Sequence, residues 1–116
     1  MIAGIKTEVQ RLRSLYPSYK LKVTGHSLGG ALALLTAMDL KNAGFTPSVI
    51  SFGQPRTGDE MFANCASDSF PIVRLTHLKD IVPQIPPKSW EYFHVHREAY
   101  ESTSTSSNPQ VITLLK

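Results

Sequence analysis

The residues Gly25-His26-Ser27-Leu28-Gly29 are the part of this sequence best suited to covalent chemistry. A serine hydroxyl is a weak nucleophile at neutral pH, and it becomes useful when a turn lifts it to where a base and an electrophile can reach it. The G-x-S-x-G pattern supplies such a turn, with the serine at a sharp strand-to-helix corner and bulk removed from both flanks. The pattern carries meaning only where a strand precedes it and a helix follows. Both conditions are met on sequence. Tyr19 to Thr24 ("YKLKVT") alternates and is rich in strand-favouring residues. Leu28 to Phe45 ("LGGALALLTAMDLKNAGF") is rich in helix formers and closes on Gly44, which predicts a glycine-capped C-terminus. That helix is apolar over most of its surface, which predicts burial against a sheet. The competing reading, an inert serine in a glycine-rich turn, accounts less well for the two flanks.

A nucleophilic serine asks for a histidine base and for a carboxylate to orient it. In hydrolases built on such an elbow the chain order is serine, acid, histidine, and the reacting groups sit on loops at the carboxyl ends of parallel strands. Asp80 fits the acid, lying three residues beyond a strand expected to end near His77. Its rival Asp59 opens "TGDE", which reads as a helix start where a carboxylate offsets free N–H groups. Asp39 and Asp68 fall inside or near the end of helices. The backbone N–H of Leu28, the residue after the nucleophile, is the expected oxyanion donor.

Of the four histidines, His26 adjoins Ser27 so that their side chains diverge, which suits packing at the elbow. His77, three residues before Asp80, reads as a structural member of that loop. His94 follows the acid in the required order and is the candidate base within the chain. His96 falls on the same strand face as His94 if the stretch alternates.

The positioning elements follow from periodicity. Ile2, Ile5, Val9, Leu12 and Tyr16 recur at spacings of three and four and predict an amphipathic helix stopped by Pro17. Val49 to Phe52 reads as a short buried strand, Thr57 to Phe70 as a short helix with acidic residues at its start, and Pro71 to about Thr76 as a further strand before a proline-rich loop. Glu91 to Thr103 and Pro109 to Lys116 read as strands joined by the polar "STSTSSN". Helices alternating with strands imply a mainly parallel sheet with helices on its faces.

With 116 residues, 41% of them hydrophobic and 18% charged, the chain has room for one modest core and is neither disordered nor fibrous. Its formal charge of +3 comes from scattered basic residues, which argues against nucleic acid as a partner. No apolar run is long enough to span a bilayer, and Met1 to Tyr16 lacks the apolar stretch of a signal peptide. Cys65 is the single cysteine; it forms no metal-ligand pair and is expected as a buried apolar residue on a helix.

Taken in order, "VTGHSLGGALALLTAMDL", "SFGQPRTGDEMFA", "RLTHLKDIVPQIPP" and "YFHVHREAY" resemble the class 3, fungal-type triacylglycerol lipases of the α/β-hydrolase fold. The resemblance covers nearly the whole chain and is weakest over the first helix and the last dozen residues. It implies hydrolysis of carboxylic esters, typically acylglycerols at a lipid–water interface, with Ser27 as nucleophile, Asp80 as triad acid and no cofactor or metal. It also implies that the histidine of the "YFHVHREAY" segment is not the catalytic one, and that Tyr100 stands where the family usually has tryptophan. In the family the base lies in a later loop reading H-x-x-Y, which this sequence does not contain.

The expectation is therefore a single unit over residues 1–116, the central to later part of an α/β-hydrolase domain, lacking the N-terminal strands and the lid. An exposed sheet edge, apolar helix faces, and either self-association or dependence on a missing segment would follow. Family habit implies secretion of a full-length protein. A different class of function, a catalytically inactive lipase-like module that binds lipid or protein, remains the alternative to an ester hydrolase.

Overall fold

A computed structural model describes residues 2–77, 80–101 and 112–115. The chain runs α1 (Ile2–Leu15), β1 (Leu21–His26), α2 (Leu28–Asn42), β2 (Pro47–Phe52), α3 (Glu60–Ser69), β3 (Ile72–His77), β4 (Glu98–Glu101) and β5 (Ile112–Leu115). Two short 3-10 turns, Val82–Gln84 and Lys88–Trp90, lie between β3 and β4. Among the described residues these strands form one sheet in the order β1-β2-β3-β4-β5. The first four are parallel, and β5 is antiparallel to β4. This is the mainly parallel α/β architecture that the alternation of elements implies.

Because paired residues of a parallel sheet share a face, Val23, Val49 and Ile72 stand in one row. α2 and α3 cover that face. Leu34 and Ala37 of α2 and Ala63 and Ala66 of α3 are essentially inaccessible and pack with Val49, Phe70, Ile72 and Val95 into the main core. Small alanines let the helices approach the sheet closely, and each large side chain buried there contributes about 1.5–3 kcal/mol.

α2 ends one residue earlier than a cap at Gly44 would give. Gly44 occupies the left-handed position just past the cap (φ 93°), donating to Lys41 O while Phe45 N–H reaches back to Leu40 O, both at 3.0 Å. This paired closure satisfies carbonyls that the helix end leaves free, and it seats Phe45 in the interior.

Several expectations need correction. β1 lies two residues later than Tyr19 to Thr24, because Tyr19 turns back to bond Tyr16 O and stacks on the Tyr16 ring. Ile50 and Phe52 of β2 are exposed, so β2 alternates; it is not buried on both faces. α2, by contrast, packs against the sheet as expected and leaves Leu28, Leu32 and Leu35 exposed on its other side, an apolar helix face of the kind also expected. Cys65 lies on α3 as expected but is exposed.

The largest difference is at Glu91 to Thr103, where among the described residues only Glu98–Glu101 is strand. Glu91 and Arg97 have positive φ, and Phe93 N–H bonds Gly58 O instead of a neighbouring strand. Without strand alternation His94 and His96 part company, His94 half-buried and His96 exposed. The polar "STSTSSN" stretch lies outside the described residues.

Candidate active site

Ser27 sits between the last residue of β1 and the first of α2, with φ 54° and ψ −123°. No ordinary L-residue basin includes that pair of angles, and holding it costs on the order of 1–3 kcal/mol. The turn is tied on both sides: Ser27 N–H bonds Phe52 O at 2.8 Å, and Ser27 O accepts from Gly30 N–H at 2.9 Å. Gly25 is indispensable to it, since a Cβ there would run into the carbonyl of Gly29. Gly29 itself has open space where its Cβ would stand. The second crowded position is Gly30, whose Cβ would come within 3.1 Å of Gln54 Cβ and 3.3 Å of Ser51 Cβ. Ser51 and Gln54, both fully buried, are joined there by a 2.6 Å hydrogen bond.

Leu28 is the first residue of α2, so its N–H has no intrahelical acceptor and the helix dipole adds partial positive charge at that end. That donor and Ser27 lie at the carboxyl end of β1. Asp80 lies beyond the carboxyl end of β3, which runs parallel two strands away.

Asp80 is half-buried, and its carboxylate is ordered from within its own loop. Oδ1 accepts from Val82 N–H at 3.0 Å, and Asp80 N–H bonds His77 O at 3.0 Å. Oδ2 is turned towards Gly53, the residue that follows β2. Gly53 (φ 59°) donates to Leu75 O at 2.8 Å, and a Cβ on it would stand 2.9 Å from Asp80 Oδ2 and 3.9 Å from His26 Nε2. His26 is thus exposed beside Gly53. The rival acid Asp59 caps α3, accepting from Phe62 N–H at 2.8 Å.

The half-buried His94 ring bonds the carbonyl of Pro83 through Nε2, while Nδ1 is buried with no hydrogen-bond partner. Burial, reinforced by the nearby Arg74 and Arg56 charges and opposed by the Pro83 carbonyl and Glu98, pushes its pKa down to about 4. His94 is therefore neutral at pH 7, donating from Nε2. Arg74, buried on β3, spans from Val95 O (Nε, 3.0 Å) to Glu98 Oε2 (3.8 Å). Burial lowers its pKa, with Glu98 opposing and Arg56 adding to the effect. Arg56, Arg74, Asp80 and His94 share the lining of an open cavity of about 360 Å³. Arg56 and Arg74 received no role from sequence; a guanidinium amid the apolar run of β3 was the available signal for the second.

Residues 1–90 match the family described as Lipase (class 3). The chain belongs to the class 3 lipases. It is 43% identical over 104 residues to a lipase of Rhizomucor miehei, a match that takes in 84% of this chain and 29% of that protein. The fold superimposes on the mono- and diacylglycerol lipase of Aspergillus oryzae with a TM-score of 0.91 at 29% identity, covering 97% of this chain and 43% of the other. A triacylglycerol lipase described as having a serine protease triad for its catalytic centre gives a TM-score of 0.81 at 38% identity, over 84% of this chain and 39% of that one. The chain spans less than a third of the length of the curated lipases it matches. These solved lipases share the α/β-hydrolase fold expected from the sequence motifs.

Proposed function

We propose that this chain carries the nucleophile and the triad acid of a serine ester hydrolase acting on acylglycerols. The observation that carries the reading is the backbone of Ser27: a strained residue, locked from both sides, at the mouth of a 15-residue helix. Strain of this kind persists where the surrounding structure is built to hold it. Similarity to lipases named for triacylglycerols and for mono- and diacylglycerols supports the substrate class.

In this reading Ser27 Oγ attacks the ester carbonyl carbon as a histidine removes the hydroxyl proton, and the carbonyl electrons move onto oxygen. Leu28 N–H and the α2 dipole stabilise that oxyanion. Collapse expels the alcohol, which takes the proton from the histidine, and water then releases the acid from Ser27 by the same steps. Asp80 holds the histidine through Oδ2, since Oδ1 is engaged by Val82. The base is not His94. Its Nε2 is committed to Pro83, and a group of pKa about 4 is a poor proton acceptor at neutral pH. The base is a histidine in the length of a class 3 lipase that this chain does not span.

The test is chemical rescue in the 116-residue chain, with imidazole supplied as an external base during hydrolysis of a short-chain chromogenic ester. Imidazole is expected to accelerate the parent above the Ser27→Ala background. A folded parent that never exceeds that background would leave the binding-module reading, which the exposed Leu28, Leu32 and Leu35 favour. Rescue-independent activity lost in His94→Ala would instead make His94 the base.

A further inference from the structure

The loop that carries Asp80 is held from outside at four successive carbonyls. Among the described residues its internal bonds are Asp80 N–H on His77 O at 3.0 Å, Val82 N–H on Asp80 Oδ1, Gln84 N–H on Ile81 O at 2.9 Å and Ile85 N–H on Val82 O at 3.2 Å, and none of them engages the carbonyls of residues 83 to 86. The carbonyl of Pro83 is taken by His94 Nε2. Those of Gln84 and Pro86 are both taken by Arg56 Nη1, at 2.5 and 3.0 Å, and that of Ile85 by the Arg56 backbone N–H at 2.8 Å. Two residues, one just after β2 and one before β4, thus satisfy carbonyls 83 to 86 without a gap.

We infer that Arg56 and His94 are positioning residues for the proposed triad acid, clamping the segment after Asp80 so that its carboxylate keeps one fixed orientation. The inference rests on the reading of Asp80 as that acid. A guanidinium suits the task because it stays charged and presents donors in a rigid plane, and hydrogen bonds from a charged donor to carbonyls are about twice as strong as neutral ones. A neutral imidazole suits the other end, since burial and the Arg74 and Arg56 charges disfavour a further cation there, with the Pro83 carbonyl and Glu98 opposing them. Arg74 braces the clamp by bonding Val95 O, the carbonyl after His94.

The experiment reads backbone amide exchange by NMR in the 116-residue chain, with Arg56→Ala, Arg56→Lys and His94→Asn. Val82 N–H reports on its bond to Asp80, and Val49 N–H, bonded to Pro71 O at 2.9 Å, reports on the sheet. Arg56→Ala is expected to speed exchange at Val82 and Gln84 by at least about tenfold with Val49 unchanged. Methylguanidinium is expected to restore protection, and Arg56→Lys to restore less, since one ammonium lacks the planar fork. Unchanged exchange at Val82 in both Arg56→Ala and His94→Asn overturns the inference. So does acceleration of Val49 in step with Val82, which marks a merely structural role. If Arg56→Ala does not fold, His94→Asn alone decides by the same two criteria. Exchange does not depend on turnover, so a parent chain that fails the imidazole test strikes the hydrolase reading and leaves this readout intact.

Discussion

Asp80 Oδ2 stands 2.9 Å from the point where a Cβ on Gly53 would be. The absence of that one atom lets the loop after β2 pass between the elbow and the acid loop. Gly53→Ala would meet the carboxylate and also carry a side chain at φ 59°. It is expected to cost about 1–3 kcal/mol in urea unfolding and to abolish imidazole-rescued hydrolysis. An unchanged unfolding midpoint would show that the two loops separate freely.

The two glycines flanking Ser27 are expected to differ sharply. Gly25→Ala should cost more than about 2 kcal/mol, because the clash is with backbone that cannot rotate away. Gly29→Ala should be neutral or stabilising by up to about 1 kcal/mol, since α2 gains a better helix former and nothing obstructs it. Equal effects in thermal unfolding would contradict the geometry of the elbow.

Asp59 and Asp80 should separate stability from chemistry. Asp59→Ala removes the α3 cap and is expected to lower stability by about 1 kcal/mol while leaving rescued hydrolysis unchanged. Asp80→Asn is expected to do the reverse, keeping one acceptor for Val82 and losing the charge. If Asp59→Ala instead removes the activity, the acid has been misassigned.

His94 makes stability depend on pH in a defined window. Its pKa lies near 4 in the folded chain, below the ordinary value of 6.5, so the unfolded chain binds the proton more readily between those values. The contribution is complete above about pH 6.5 and is lost as pH falls towards 4, a loss on the order of 2 kcal/mol once solvent screening is allowed for. Urea midpoints measured across that range should fall with acidification in the parent, and the slope should flatten in His94→Asn. The same slope in both chains would remove His94 as its source.

The exposed leucines of α2 bear on association. The chain is expected to self-associate at micromolar concentration, and Leu32→Gln with Leu35→Gln to reduce the average mass in sedimentation velocity. An unchanged mass would mean that the contact, if any, lies elsewhere.

What could be read from the sequence was what is local. The elbow announces itself because strand, serine, glycines and helix lie within about two dozen residues, and Asp59 reveals its capping role by opening a helix. Arg56 and His94 gave no such signal. Arg56 meets carbonyls 28 and 30 residues away, and His94 meets one 11 residues away, contacts that no periodicity encodes. The stretch before β4 misled for a related reason. Phe93 and Val95 alternate with polar neighbours as a strand would, yet Phe93 bonds a loop, and the positive φ of Arg97 delays pairing until Glu98. Ile50 and Phe52 were taken as buried because a parallel strand is ordinarily covered on both faces.

The strand order of the sheet also permits a particular order of assembly. Its strands stand side by side in the sequence in which they leave the ribosome, β1 against β2, then β3, then β4, then β5. Each arriving strand therefore needs only the edge laid down just before it, and α2 and α3 can close over each crossover as it forms. Assembly by accretion would keep the loops to be closed short and extend pairing from the β2 side of β1 onward, one strand at a time.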